Sequence, residues 1–72
     1  MTNTKKLRAL ILERGFIQEQ VAAHLGITTA SLNYKINNKR EFKASEIHAL
    51  IELLEIKDED VNGIFFALGV DL

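Results

Sequence analysis

Apolar residues recur at helical spacing along almost the whole of this chain. Leu7, Leu10 and Ile11 stand at i, i+3 and i+4, and the stem of Arg14 carries the stripe one turn further; Leu12 lies off it. Thr2, Asn3 or Thr4 can cap the start of this helix, and Gly15 can stop it. Val21, Ala22 and Leu25 mark a short second helix closed by Gly26. Thr28 offers an N-cap to a third helix carrying Leu32 and Ile36, which the polar run Asn37-Asn38-Lys39-Arg40 ends. Ile47, Leu50, Ile51 and Leu54 give the cleanest stripe. Asp58, Glu59 and Asp60 put negative charge where a helix N-terminus favours it. Val61, Ile64, Phe65 and Leu68 form a fifth stripe, ended by Gly69. No segment alternates with period two. The pattern predicts an all-α fold: five short helices in a single domain over residues 1–72, without sheet, repeat or linker.

Composition narrows what such a domain can do. The chain has 72 residues, and a chain of that size buries only about 60% of its unfolded surface. One modest core is expected, with no space for a cofactor domain. Cysteine is absent, which excludes a disulfide scaffold and any thiolate metal site. No apolar run is long enough to span a membrane, and the charged N-terminus does not read as a signal peptide. His24 and His48 lack partners at ligand spacing, so no metal is expected. No nucleophilic triad or carboxylate pair has supporting spacing, so neither enzymatic activity, a small-molecule substrate nor a cofactor is expected. Phe16 and Phe42 precede helices, as packing staples do.

The stretch from Gln18 to Leu32 is the most informative. Two short helices meet at Gly26 with three or four residues between them. Glycine there lets the chain turn through positive φ, and Ala22 is small enough for a close crossing. This is how a helix-turn-helix is written in sequence. The stretch resembles the lambda-repressor-like helix-turn-helix of phage Cro and CI proteins and many bacterial regulators. The resemblance extends along the chain: residues 37–42 look like the loop after the recognition helix, and residues 43–66 resemble small phage regulators. Two positions depart from the family's pattern. Ile17 stands where Thr or Ser usually caps the second helix, at a cost of roughly 1 kcal/mol, although Gln20 can still reach back to the backbone there. Asn38 replaces the usual loop glycine, and asparagine also enters the left-handed region. The resemblance implies a compact five-helix lambda-repressor-like DNA-binding domain with its helix-turn-helix at helices 2 and 3. Full repressors of the family carry a further oligomerisation domain, so the chain is expected to be a Cro-like or accessory regulator of a lysis–lysogeny switch, working in the cytoplasm of a bacterial host.

A helical wheel of about 100° per residue, with Leu32 at zero and Ile36 on the buried side, turns Ala30, Asn33, Tyr34, Asn37 and Ser31 outward. In a recognition helix such positions meet base edges. Asn33 or Asn37 can pair with adenine, Ala30 can touch a thymine methyl, and Thr29 and Tyr34 complete the candidate base-reading set. The resemblance assigns Gln18 and Thr28, both at helix N-termini, to phosphates. Ser31, Lys35, Lys39, Arg40 and Lys43 are expected to add the salt-dependent phosphate contacts. Any one outward polar residue taken alone reads more readily as plain solvated surface, and only the motif brings the set as a whole level with that reading.

The net charge of −1 hides an asymmetry. Residues 1–43 hold Lys5, Lys6, Arg8, Arg14, Lys35, Lys39, Arg40 and Lys43 against Glu13, Glu19 and Glu41, a net of +5. Residues 44–72 hold Lys57 against Glu46, Glu52, Glu55, Asp58, Glu59, Asp60 and Asp71, a net of −6. Either one side faces a polyanion or both are solvated surface. The helix also lacks arginine and glutamine among its outward residues. The leading expectation is a regulator that binds double-stranded operator DNA. The alternative is a modulator or antirepressor that docks onto a partner CI-type repressor. On the fifth helix Phe66 and Val70 share the face opposite the buried stripe, and Leu72 extends it. These three are the expected protein interface, for a homodimer or a heterotypic complex with a phage repressor.

Overall fold

The computed structural model describes residues 1–68. They form α1 (Thr4–Glu13), α2 (Gln18–Leu25), α3 (Thr29–Ile36), α4 (Ala44–Leu53) and α5 (Asp58–Phe65). The all-α, five-helix expectation holds for these residues, with no strand among them.

The first four helices stop by the same device. In each, a residue with left-handed backbone follows the last turn: Gly15 at φ 85°, Gly26 at 73°, Asn38 at 64° and Glu55 at 53°. In each, the next residue donates its N–H to the carbonyl five positions back: Phe16 to Ile11, Ile27 to Ala22, Lys39 to Tyr34 and Ile56 to Ile51, at 2.8–3.1 Å. This is the Schellman arrangement, and an apolar residue after the left-handed one commonly packs back on the helix. Phe16, Ile27 and Ile56 do so against the core. Glu55 is the costly member, because a left-handed residue with a Cβ loses roughly 1–2 kcal/mol.

Helix starts are less uniform. Asn3 accepts from Lys6 N–H at 3.2 Å and Thr28 from Ser31 N–H at 3.0 Å, so each satisfies an otherwise orphaned donor. Ile17 has no acceptor, and the Gln20 Oε1 accepts from the Ile17 N–H at 3.1 Å instead. Glu46 Oε1 does the same for Lys43 N–H at 2.8 Å. Asp58, Glu59 and Asp60 occupy the first turn of α5, where they offset the helix dipole.

The core draws on every helix: Leu7 and Ile11 from α1, Val21 and Ala22 from α2, Leu32 and Ile36 from α3, Leu50 from α4, Leu54 and Ile56 from the turn after it, and Ile64 and Phe65 from α5. Leu12, off the predicted stripe, is exposed. Phe42 meets Phe65 edge-on, with ring centroids 5.8 Å apart. α2 packs chiefly on α3 and also on α4, while α1 lies against both α3 and α5.

The fifth stripe requires a correction. Its helix ends at Phe65, and Leu68 is 94% exposed, not buried. Past Phe65 the chain leaves the helix and runs beside the N-terminus, with Ala67 N–H donating to Met1 O at 2.9 Å and Asn3 N–H donating to Ile64 O at 2.7 Å. The apolar period runs on past a helix that long-range bonds have already ended. Gly69, Val70 and Leu72 lie outside the described residues.

Candidate nucleic-acid interface

α3 carries the expected contact residues, and its two ends are anchored differently. At the N-terminus the Thr28 hydroxyl oxygen caps the helix while its own proton is free to donate outward. Thr28, Thr29 and Ala30 are exposed; Gln18 and Ser31 are half-buried. Tyr34 is 43% exposed, a turn further along.

At the C-terminus, residues of the N-terminal segment and α1 hold the helix. Thr4 Oγ1 donates to Ile36 O at 2.7 Å, satisfying an end-of-helix carbonyl. Arg8 donates from its guanidinium to Asn37 Oδ1 at 3.2 Å. The Asn37 amide in turn donates to Asn33 O at 2.9 Å and Asn33 Oδ1 at 3.2 Å. The two asparagines therefore differ. Asn37 has both ends of its amide engaged within the protein, and Asn33 keeps its Nδ2 without a partner among the described residues. Arg8 was missed in the sequence. Nothing local marks it, because it meets Asn37 across 29 positions of chain.

Lys35 requires the second correction. It was expected to flank a duplex, yet its residue is only 7% exposed. The ammonium lies 2.7 Å from both carboxylate oxygens of Glu46. The wheel that places Ile36 at about +40° places Lys35 at about −60°, also on the buried side. Glu46 lies one turn before Leu50 on the buried stripe of α4. Two opposite charges on two facing apolar stripes were the signal for this pair. Burial opposes ionisation of Glu46, but the Lys35 ammonium, the Lys43 backbone N–H and the charges of both lysines outweigh it. Together they hold the carboxyl below its ordinary value.

The remaining cations sit beyond the C-terminal end of α3. Lys39, Arg40 and Lys43 are exposed, with Glu41 among them. The Arg40 guanidinium stands over the Tyr34 ring, 5.3 Å from its centroid, within cation–π range. A shallow groove of about 330 Å³ runs beside this group, lined by Met1, Thr2, Asn38, Arg40, Glu41, Phe42, Ile47, Phe65 and Phe66. Met1 and Phe66 are 59% and 53% exposed. A second depression of about 480 Å³ is bordered by Lys6, Arg14 and Lys57 as well as Glu13, Glu55, Glu59 and Asp60. Part of the acidic half thus meets cations of α1 and is not an unbroken negative face. His24 and His48 are both exposed. No group of three His, Asp or Glu side chains able to hold a metal occurs among the described residues. No helix is long and apolar enough to cross a membrane among the residues described.

Residues 2–68 match a family described as "Protein of unknown function (DUF739)". The chain belongs to this family. Membership gives the extent of the domain, which coincides with the five helices and their anchors, and assigns no chemistry to it. Comparison with curated proteins returns no match.

Proposed function

We propose that this DUF739 chain is a small DNA-binding transcriptional regulator of the lambda-repressor-like kind, serving a phage-type lysis–lysogeny switch in a bacterial cytoplasm. In this reading α2, the Gly26 turn and α3 form the helix-turn-helix, and α3 enters the major groove. The observation that carries it is the make-up of the α3 surface: small and polar side chains along an exposed face, with Arg8, Lys39, Arg40 and Lys43 grouped at its C-terminal end. Short polar side chains suit base edges, and the adjoining cations suit the phosphate backbone. Thr29, Ala30 and Asn33 read bases; Tyr34, at the Arg40 end of the face, meets the adjoining sugar-phosphate backbone; Gln18, Thr28, Ser31, Lys39, Arg40 and Lys43 hold phosphates. Asn37 acts with Arg8 at the edge of the face, and Lys35 serves the core.

The test is a gel shift on the switch region of the parent phage, with unrelated duplex as competitor. Substituting Asn33 and Tyr34 together by alanine is expected to abolish preference for the operator while circular dichroism stays unchanged. Undiminished operator affinity in that double variant would defeat the assignment of α3 to the groove.

A second reading has its own observation. Just past α5, Phe66 and Leu68 are exposed apolar residues, and Met1, also exposed, lines the same groove as Phe66; exposed apolar clusters mark interfaces. A modulator docking onto a partner repressor would use this surface. Phe66→Glu is then expected to abolish assembly with that repressor, read by sedimentation of the mixture, with little loss of folding. Wild type that stays monomeric with and without the repressor removes this reading.

A further inference from the structure

Asn38 does more than a turn residue needs to do. Its left-handed backbone ends α3, a task that glycine performs without strain. Its side chain makes two further bonds: Thr2 N–H donates to Asn38 Oδ1 at 2.7 Å, and Asn38 Nδ2 donates to Thr2 O at 2.9 Å. The partner is itself fixed. Thr2 is buried, and its neighbours Met1 and Asn3 are bonded to Ala67 and Ile64 at the end of α5. The turn after α3 is therefore pinned to a segment 36 positions away. Lys39 N–H closes that turn on Tyr34 O at 2.8 Å, and one residue later the Arg40 guanidinium rests over the Tyr34 ring.

We propose that Asn38 is a positioning residue for the DNA-contacting surface: its amide, clasped to Thr2, holds the turn that stands Arg40 over Tyr34, so that cation and ring meet the phosphate backbone as one preassembled element. The proposal rests on the DNA-binding reading above. A guanidinium binds phosphate through two parallel N–H donors, and the Tyr34 hydroxyl can donate beside it. A long side chain that is already ordered loses less entropy on binding than a free one. The clasp supplies that order from the N-terminal segment, without itself touching nucleic acid.

The experiment uses the full chain as wild type, Asn38→Gly, Arg40→Ala and the double variant. Glycine keeps the left-handed backbone and removes only the amide. The probe is a labelled mixed-sequence duplex, titrated by fluorescence anisotropy at several salt concentrations and well below each melting temperature. Asn38→Gly is expected to bind about two- to tenfold more weakly with the salt slope unchanged, because Arg40 still reaches its phosphate. Arg40→Ala is expected to lower the slope by about 0.9. Asn38→Gly should then cost nothing further in the Arg40→Ala background, the mark of two coupled residues. In the free proteins, the Arg40 side-chain protons, shifted by the Tyr34 ring in wild type, should move toward unshifted positions in Asn38→Gly. An equal loss from Asn38→Gly with and without Arg40, or a lowered melting temperature with unchanged affinity, overturns the positioning role and leaves the DNA reading standing. No duplex binding by wild type even at low salt overturns that reading itself, and the assigned use of the pair with it.

Discussion

Replacing Lys35 with methionine isolates the energetics of the ion pair beneath α3. Methionine keeps an unbranched apolar stem of similar length and deletes the ammonium. The Glu46 side chain, 7% exposed, then keeps only the Lys43 N–H as a partner. Breaking a buried pair by removing one member costs about 3–5 kcal/mol, and the low end applies because this pair lies at the margin of the core. A domain of this size holds on the order of 5 kcal/mol in all, so Lys35→Met should lose more than half its stability near neutral pH. Urea denaturation followed by far-ultraviolet circular dichroism reads the loss directly. The pH dependence reverses between the two proteins. In wild type the folded Glu46 carboxyl titrates below its unfolded value. The pair's contribution is therefore complete above the unfolded value, near pH 4.3, and is lost as pH falls through the folded one. In Lys35→Met burial governs the carboxyl and raises it, so the penalty is complete at neutral pH and is relieved on acidification. The gap between the proteins should narrow from about 3 kcal/mol near pH 7, first above the unfolded value as acidification relieves the penalty in Lys35→Met, then below it as wild type loses its contribution. Adding Glu46→Gln to Lys35→Met should recover most of the loss, because an amide still accepts from Lys43 N–H and carries no charge. A gap under about 1 kcal/mol at neutral pH, or one that does not change with pH, would show that solvent screens the pair and that the reasoning is wrong.

Two further outcomes test the frame around that pair. Leu50 is fully buried in α4, so Leu50→Ala should cost about 2–5 kcal/mol in the same denaturation assay; a melting temperature close to wild type would mean the site is not core. Glu55 is exposed and left-handed after α4, so Glu55→Gly should raise stability by about 1 kcal/mol, and a loss would show that the Glu55 side chain contributes something its exposure hides.

Much of this fold was legible because the relevant signals were local. The number of helices followed from periodicity, and four of the chain reversals or caps followed from residue chemistry: Gly15 and Gly26 as stops, Thr28 as a cap, and Gln20 reaching back to Ile17. Asn38 was legible as a left-handed residue because asparagine tolerates that backbone. Glu55 does the same job and was not, since glutamate carries no preference for it; the fold accepts the strain because Ile56 is buried by the turn. Lys35 and Glu46 were misread for a different reason. Residue type alone sends lysine and glutamate to the surface, and only their angular positions on two separate helices reveal that each charge faces the other. Leu68 failed in the opposite sense, because periodicity continues past a helix that pairing with Met1 and Asn3 has brought to an end.

The candidate site divides along the same line. A wheel drawn on α3 alone finds its outward face but cannot say which outward side chains are free. Asn33 and Asn37 stand one turn apart and look equivalent in sequence. They cease to be so once α1 is present: Arg8 engages Asn37, Thr4 caps Ile36 and Thr2 holds Asn38. The C-terminal half of the face is thus built by residues about thirty positions upstream, while the N-terminal half, from Thr28 to Ala30, is built by α3 and its own cap. A reader of bases needs donors and acceptors not already committed elsewhere. On the proposed DNA-binding reading, that criterion favours the end from Thr28 to Asn33, where the Thr28 and Thr29 hydroxyls and the Asn33 Nδ2 have no partner to donate to among the described residues. It leaves the anchored end, with Arg8, Lys39 and Arg40, to the uniform charge of the phosphate backbone.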